Sequence, residues 1–392
     1  MKVIYVDNNA TTRVDNEVFE EMLPYFKEYY GNPSSLHTFG RQVAGKIDIA
    51  RERVANLLGA DTSEIVFTSC GTESNNNAIH CSLEANPQKK HVVTTKVEHP
   101  AVLNLCRHFG KHGHEVTELS INKEGMLDLD EVRDSIRNDT AIVSIMYANN
   151  ETGVIFPIEE IGKIVKEKGV LFHCDAVQAV GKISINLKNS FIDLLSLSGH
   201  KLHAPKGIGV LYIRKGVRID PLIIGGHQEG NRRSGTENVP YIIGLGKACE
   251  LAKKFIKEEQ TSVKSIRDKL EKGIKDKISN VEINGENSSR LPNTSNISFK
   301  YVEGEAILVL LDMNGIAASS GSACTTGSAE PSHVLQAMGV PPSQSRGAIR
   351  FSLSKYNTDN DINYILEKLP PIIKRLQDLS PVFEDFQHTT KT

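Results

Sequence analysis

The chain is 392 residues long, 39% of them apolar and 24% charged, with a net charge of −2. That length supports two or three domain-sized cores, or one large domain with a smaller companion. The balanced charge gives no electrostatic case for binding nucleic acid or an anionic membrane. No apolar stretch approaches the ~20 residues that span a bilayer. The opening MKVIYVDNNATT has too short an apolar run for a signal sequence, so the expected location is the cytoplasm.

The first clear element is helical. In RQVAGKIDIARERVANLLGA, apolar positions 43, 47, 50, 54, 57 and 58 recur at three- and four-residue steps, and Gly59 supplies the stop. Strand patterns follow at 64–68, 91–95, 115–121, 141–147, 170–174, 192–198 and 207–213. Several are apolar almost throughout, as strands covered on both faces must be. Helical stretches such as IEEIGKIVKEKG separate several of them, and that alternation predicts an α/β fold with a mostly parallel sheet flanked by helices. Past residue 260 the order becomes a charged helix, strand-like NTSNISF, helix-like GEAILVLLDM, a small-residue stretch, strand-like AIRFSL and a last helix. A smaller α+β domain is expected there, with a frayed tail beyond it. The six cysteines (70, 81, 106, 174, 249 and 324) show no CxxC spacing, which argues against a zinc ribbon or a thioredoxin motif.

Ligands of parallel sheets gather at the carboxyl ends of the strands, so polar residues directly after strands are the candidates. In SCGTES (69–74), Gly71 permits a tight turn and Thr72 offers a hydroxyl beside a helix start, which suits either a phosphate or an ordinary helix cap. His99, in VEHPAV, is a weak signal alone. Asp175, in HCDAVQ, follows a buried strand and requires a cationic partner, with Gln178 three residues on. LLSLSGHKLHAPKG puts Lys201 at the mouth of a buried strand, where a lysine is either paired or used as a Schiff-base amine, and Ser198 and His200 flank it. A metal at His173, Cys174, His200 and His203 would have suitable atoms, but the spacing matches no zinc motif. Cys324 lies among Gly, Ser, Thr and Ala with nothing large to pack against, which makes it a candidate nucleophile. Arg350, inside a strand pattern, either reaches solvent or grips a carboxylate with its planar fork.

The order of these signals resembles the cysteine desulfurases, pyridoxal-phosphate enzymes with the aspartate-aminotransferase-like fold. The resemblance runs from YVDNNATT to the last helix, and FTSCGTES, ANNETG, SGHKLHAPKG, GTEN and SSGSACTTGSAEPSHV look most like the nitrogen-fixation branch, with the housekeeping branch near by. It implies a large cofactor-binding domain at 14–260, a small domain from 1–13 and 261–380 that carries the Cys324 loop, and a tail at 381–392. Lys201 would hold pyridoxal phosphate, Asp175 would pair with its ring nitrogen, His99 would stack on the ring and be catalytic with Lys201 and Cys324, and Gln178 would bond its phenolic oxygen. Gly71, Thr72, Ser198 and His200 would form the phosphate cradle. Thr236 would reach the cofactor phosphate of a second subunit, which implies a homodimer. Asn150 and Arg350 would hold the carboxylate of L-cysteine, and Cys324 would take the sulfur as a persulfide for an iron–sulfur scaffold protein. Cys174, where threonine is expected, is a mild departure. An aminotransferase, a selenocysteine lyase and a non-catalytic sulfur carrier are the competing readings.

Overall fold

The computed structural model describes residues 3–320 and 331–380. After a short β1 (Ile4–Tyr5) come the seven strands of the main sheet. They are β2 (Ile65–Thr68), β3 (His91–Thr95), β4 (Glu115–Leu119), β5 (Thr140–Ser144), β6 (Leu171–Asp175), β7 (Leu194–Ser198) and β8 (Gly209–Ile213), in the spatial order β2-β8-β7-β6-β5-β3-β4. The expected parallel sheet is present, with one reversal: β8 runs antiparallel to both β2 and β7. The cause is the length of its connection. Residues 199–208 are too few for the crossover of a dozen or more residues that a parallel return needs.

Strands β2, β3, β5, β7 and β8 are buried at every position. Alternate side chains feed two layers, as the pleat requires: Val143 and Leu195 join one apolar core, Ile142 and Leu194 the other. Edge strand β4 is only partly covered. The predicted first helix spans Thr38–Leu58 and packs against the helix Val239–Glu258.

A second core gathers around β9 (Val281–Ile283), β10 (Thr294–Phe299) and β12 (Ala348–Ser352), an antiparallel sheet in the order β12-β10-β9. Ile297, Phe299, Ile349 and Phe351 pack there against Leu270, Ile365 and Leu369 of the neighbouring helices. A short β11 (Ile316–Ala317) pairs in parallel with β1, and Val6 is buried in this second core. The chain passes between the cores through a π-turn, Glu259–Val263, that joins helices Val239–Glu258 and Lys264–Lys277.

Gly59 ends the first helix in the left-handed region, at φ 62° and ψ 44°, and a Cβ there would lie 2.7 Å from Asn186 Oδ1. Left-handed backbone costs an L-residue roughly 1–2 kcal/mol. Gly59→Ala is therefore expected to lower the urea midpoint of unfolding, and an unchanged midpoint would show that the cap does not constrain the helix end.

Candidate active site

The segments that follow β2, β3, β5, β6 and β7 converge on a cavity of about 400 Å3. Every expected site residue lines it except two. Thr236 is exposed on the loop before Val239 and lies outside this cavity, and Cys324 falls outside the described residues.

Lys201 closes the one-turn helix Gly199–Lys201 directly after β7. Its Nζ donates to the carbonyl of Ala10 at 2.7 Å and also to that of Asn9, so the amine at the strand mouth is solvated by backbone oxygens. Asp175, at the end of β6, is 6% exposed. Its Oδ2 accepts from Asn75 Nδ2 at 2.7 Å and its Oδ1 from the Val177 N–H at 3.0 Å, which fixes the carboxylate plane facing the cavity. Gln178 donates to Asn9 O at 3.0 Å, and its Oε1 accepts from buried Lys182 at 3.2 Å.

The other end of the cavity is a helix start. Helix Gly71–Glu84 has Cys70 at its N-cap with no side-chain cap bond, and neither Ser69 nor Thr72 supplies one. The Ser69 N–H donates to Glu73 at 2.7 Å instead. The cap reading of the sequence therefore fails here, and the helix-start N–H groups are available to an anion. Gly71 has no room for a side chain: a Cβ would lie 2.9 Å from Val177 Cγ2 and 3.3 Å from Ser198 Cβ. His200 Nδ1 is 3.1 Å from Thr11 Oγ1, and burial, reinforced by Lys201, lowers its pKa to about 4.

Arg350, 2% exposed on β12, donates to Asn150 O at 3.1 Å and to Asp7 Oδ1 at 2.8 Å. Its Nε is buried with no partner among the described residues. A buried, under-bonded guanidinium suits a carboxylate ligand. His99 is the N-cap of helix Pro100–Lys111, its Nδ1 accepting from the Ala101 N–H at 3.1 Å, and burial pushes its pKa down.

Sequence reasoning missed Asn75, Asn9, Glu98, Glu151 and His333. The run Asn75-Asn76-Asn77 inside a helix was a usable signal, because asparagine is a poor helix former and must be kept there by contacts. Glu98 is fully buried, and its pKa is raised to about 8 by desolvation. Among the described residues no group of three His, Cys, Asp or Glu side chains is arranged to hold a metal ion.

The family model for class-V aminotransferases matches residues 4–365. The chain belongs to that family. A protein from Trichormus azollae named cysteine desulfurase is 60% identical over 98% of this chain and 96% of its own length. The cysteine desulfurase NifS of Azotobacter vinelandii is 55% identical over 97% of this chain and 95% of its own length. Among solved structures, a NifS-like protein superposes with a TM-score of 0.90 at 42% identity, covering 95% of this chain and all of its own. This family is pyridoxal-phosphate-dependent, and the cavity fits that cofactor. It offers an amine, a fixed carboxylate and an uncapped helix start, matching an aldehyde, a pyridinium nitrogen and a phosphate.

His200 also carries a pH prediction. Its folded pKa, about 4, lies below the ordinary 6.5, so the unfolded chain binds a proton that the folded chain refuses. This contribution to stability is complete above pH 6.5 and is lost as pH falls toward 4. The urea midpoint of His200→Gln is expected to fall less steeply over that interval than that of the wild type, and parallel curves would refute the assignment.

Proposed function

We propose that the protein is a cysteine desulfurase, which converts L-cysteine to L-alanine and takes the sulfur as a persulfide on Cys324. The reading is carried by one observation: 60% identity to a cysteine desulfurase across 98% of the chain, with no gap in the cavity's amine, carboxylate and guanidinium set. Lys201, Asp175, Gln178, His99, Thr72, Ser198 and His200 would hold pyridoxal phosphate, with Gly71 admitting its phosphate. When bound, that group supplies an electron sink that stabilises negative charge at the substrate's α-carbon. Arg350 and Asn150 hold the substrate carboxylate, which fixes the α-hydrogen relative to Lys201. Lys201 Nζ carries the α-proton. Asp175, its carboxyl oriented by two hydrogen bonds, would pair with the ring nitrogen.

The finer reading is a homodimer in the cytoplasm that supplies sulfur to an iron–sulfur scaffold, of the kind that serves nitrogenase. The named similarity to NifS supports the nitrogen-fixation assignment. Tyr30, Leu36 and Ile224, exposed by 74, 90 and 86%, support pairing with a second copy, to which Thr236 would contribute. No helix among the described residues is long and apolar enough to cross a membrane.

Borohydride reduction followed by peptide mapping should tag Lys201, and Lys201→Ala should lose both the tag and the visible absorbance. Cys324→Ala should keep the absorbance but form alanine from cysteine more than ~1000-fold slower. Undiminished alanine formation in Cys324→Ala would favour an aminotransferase-like or lyase reaction instead.

A further inference from the structure

Two imidazoles other than His200 line the cavity, and their hydrogen bonds assign them opposite capacities. His99 Nδ1 is occupied as an acceptor by the Ala101 N–H. In the neutral ring the hydrogen therefore sits on Nε2, and His99 can donate from that atom but has no vacant lone pair. A second proton would have to displace the helix cap.

His333 is arranged the other way round. It opens the helix His333–Ala337, and its Nε2 is 3.1 Å from the carbonyl oxygen of Glu98. A carbonyl only accepts, so Nε2 carries the hydrogen and the lone pair is on Nδ1. Nδ1 makes no hydrogen bond among the described residues. The ring is also held from its own backbone. The preceding residue, Ser332, caps the helix through the Leu335 N–H at 3.2 Å and donates to buried Glu151 Oε2 at 2.5 Å. Titratable and charged groups surround it: Glu98 and His99 from the segment after β3, Glu151 from the segment after β5, and Lys201 and Arg350 across the cavity. Burial raises the pKa of the neighbouring Glu151 carboxyl.

We propose that His333, through Nδ1, is the catalytic base that accepts the sulfur-bound proton of the substrate. The inference rests on the desulfurase reading. In the step concerned, an electron pair of the Cys324 thiolate forms the S–S bond. The C–S bond breaks with its pair passing to the substrate carbon, and the proton on the transferred sulfur moves to His333 Nδ1. The sulfur is oxidised and the carbon reduced, with no external oxidant or reductant. The product is a persulfide anion beside an imidazolium.

The test uses the cofactor-loaded full chain. His333→Gln keeps an N–H donor for the Glu98 carbonyl but has no titratable nitrogen. Alanine formation from cysteine should fall about 100-fold, the size of a lost general base, and the acid limb of its pH profile should flatten. Exchange of the α-proton of L-alanine in deuterated water, which involves no sulfur, should change less than about threefold. In His333→Ala, added imidazole should restore part of the lost rate. The role is overturned by undiminished alanine formation, by an unaltered acid limb, or by an equal loss of α-proton exchange, which would mark a structural role. A wild-type protein that forms no alanine from cysteine would overturn the desulfurase reading itself, and this role with it.

Discussion

The structure depends on a polar thread, residues 7–12, that joins the two cores at the cavity. Asn9 is its centre. The Asn9 side chain donates to Thr294 Oγ1 at 2.9 Å and to Asn150 O at 3.1 Å, and it accepts from Asn293 at 3.0 Å. Its backbone carbonyl accepts from Gln178 and Lys201. On either side, Asp7 holds Arg350, Asn8 bonds Ser352 O, and the Thr12 N–H donates to His200 O. One short segment thus fixes the Lys201 amine, just after β7, relative to the Arg350 guanidinium on β12. In the proposed reaction both would have to be set to within a fraction of an ångström for carboxylate and α-carbon to be presented together.

Burial then sorts the ionisable groups. The imidazoles of His99 and His200 are driven toward neutrality, and the carboxyl of Glu98 is driven toward its protonated form. Asp175 is oriented by two N–H donors fixed on its oxygens. The cavity therefore combines the oriented Asp175 carboxyl with the Lys201 amine, the Arg350 guanidinium and two imidazoles driven toward neutrality. That pattern suits a ligand with a cationic ring nitrogen.

Much of this was legible before folding. Strand-end chemistry pointed to Lys201, Asp175, Gln178 and Thr72 because their neighbours are apolar runs whose position in a parallel sheet is constrained. The reversal of β8 was not read, although the short link after β7 contains it. Asn75 and Asn9 escaped because their importance lies in partners 100 or more residues away, at Asp175 and Thr294. No local pattern encodes such distances. His333 escaped for another reason. At the end of a run of small residues and two positions after Pro331, it read as the edge of the cysteine loop, and only the Glu98 carbonyl distinguishes its two nitrogens.

The pairing of β1 with β11, and the burial of Val6 beside Ile297 and Phe351, have a topological consequence. The second core is not a contiguous stretch of chain. A ribosome delivers its first piece more than 250 residues ahead of the rest, so it stays incomplete until synthesis is nearly over. The seven-stranded sheet can form during that wait. The catalytic cavity, which needs both, is completed last.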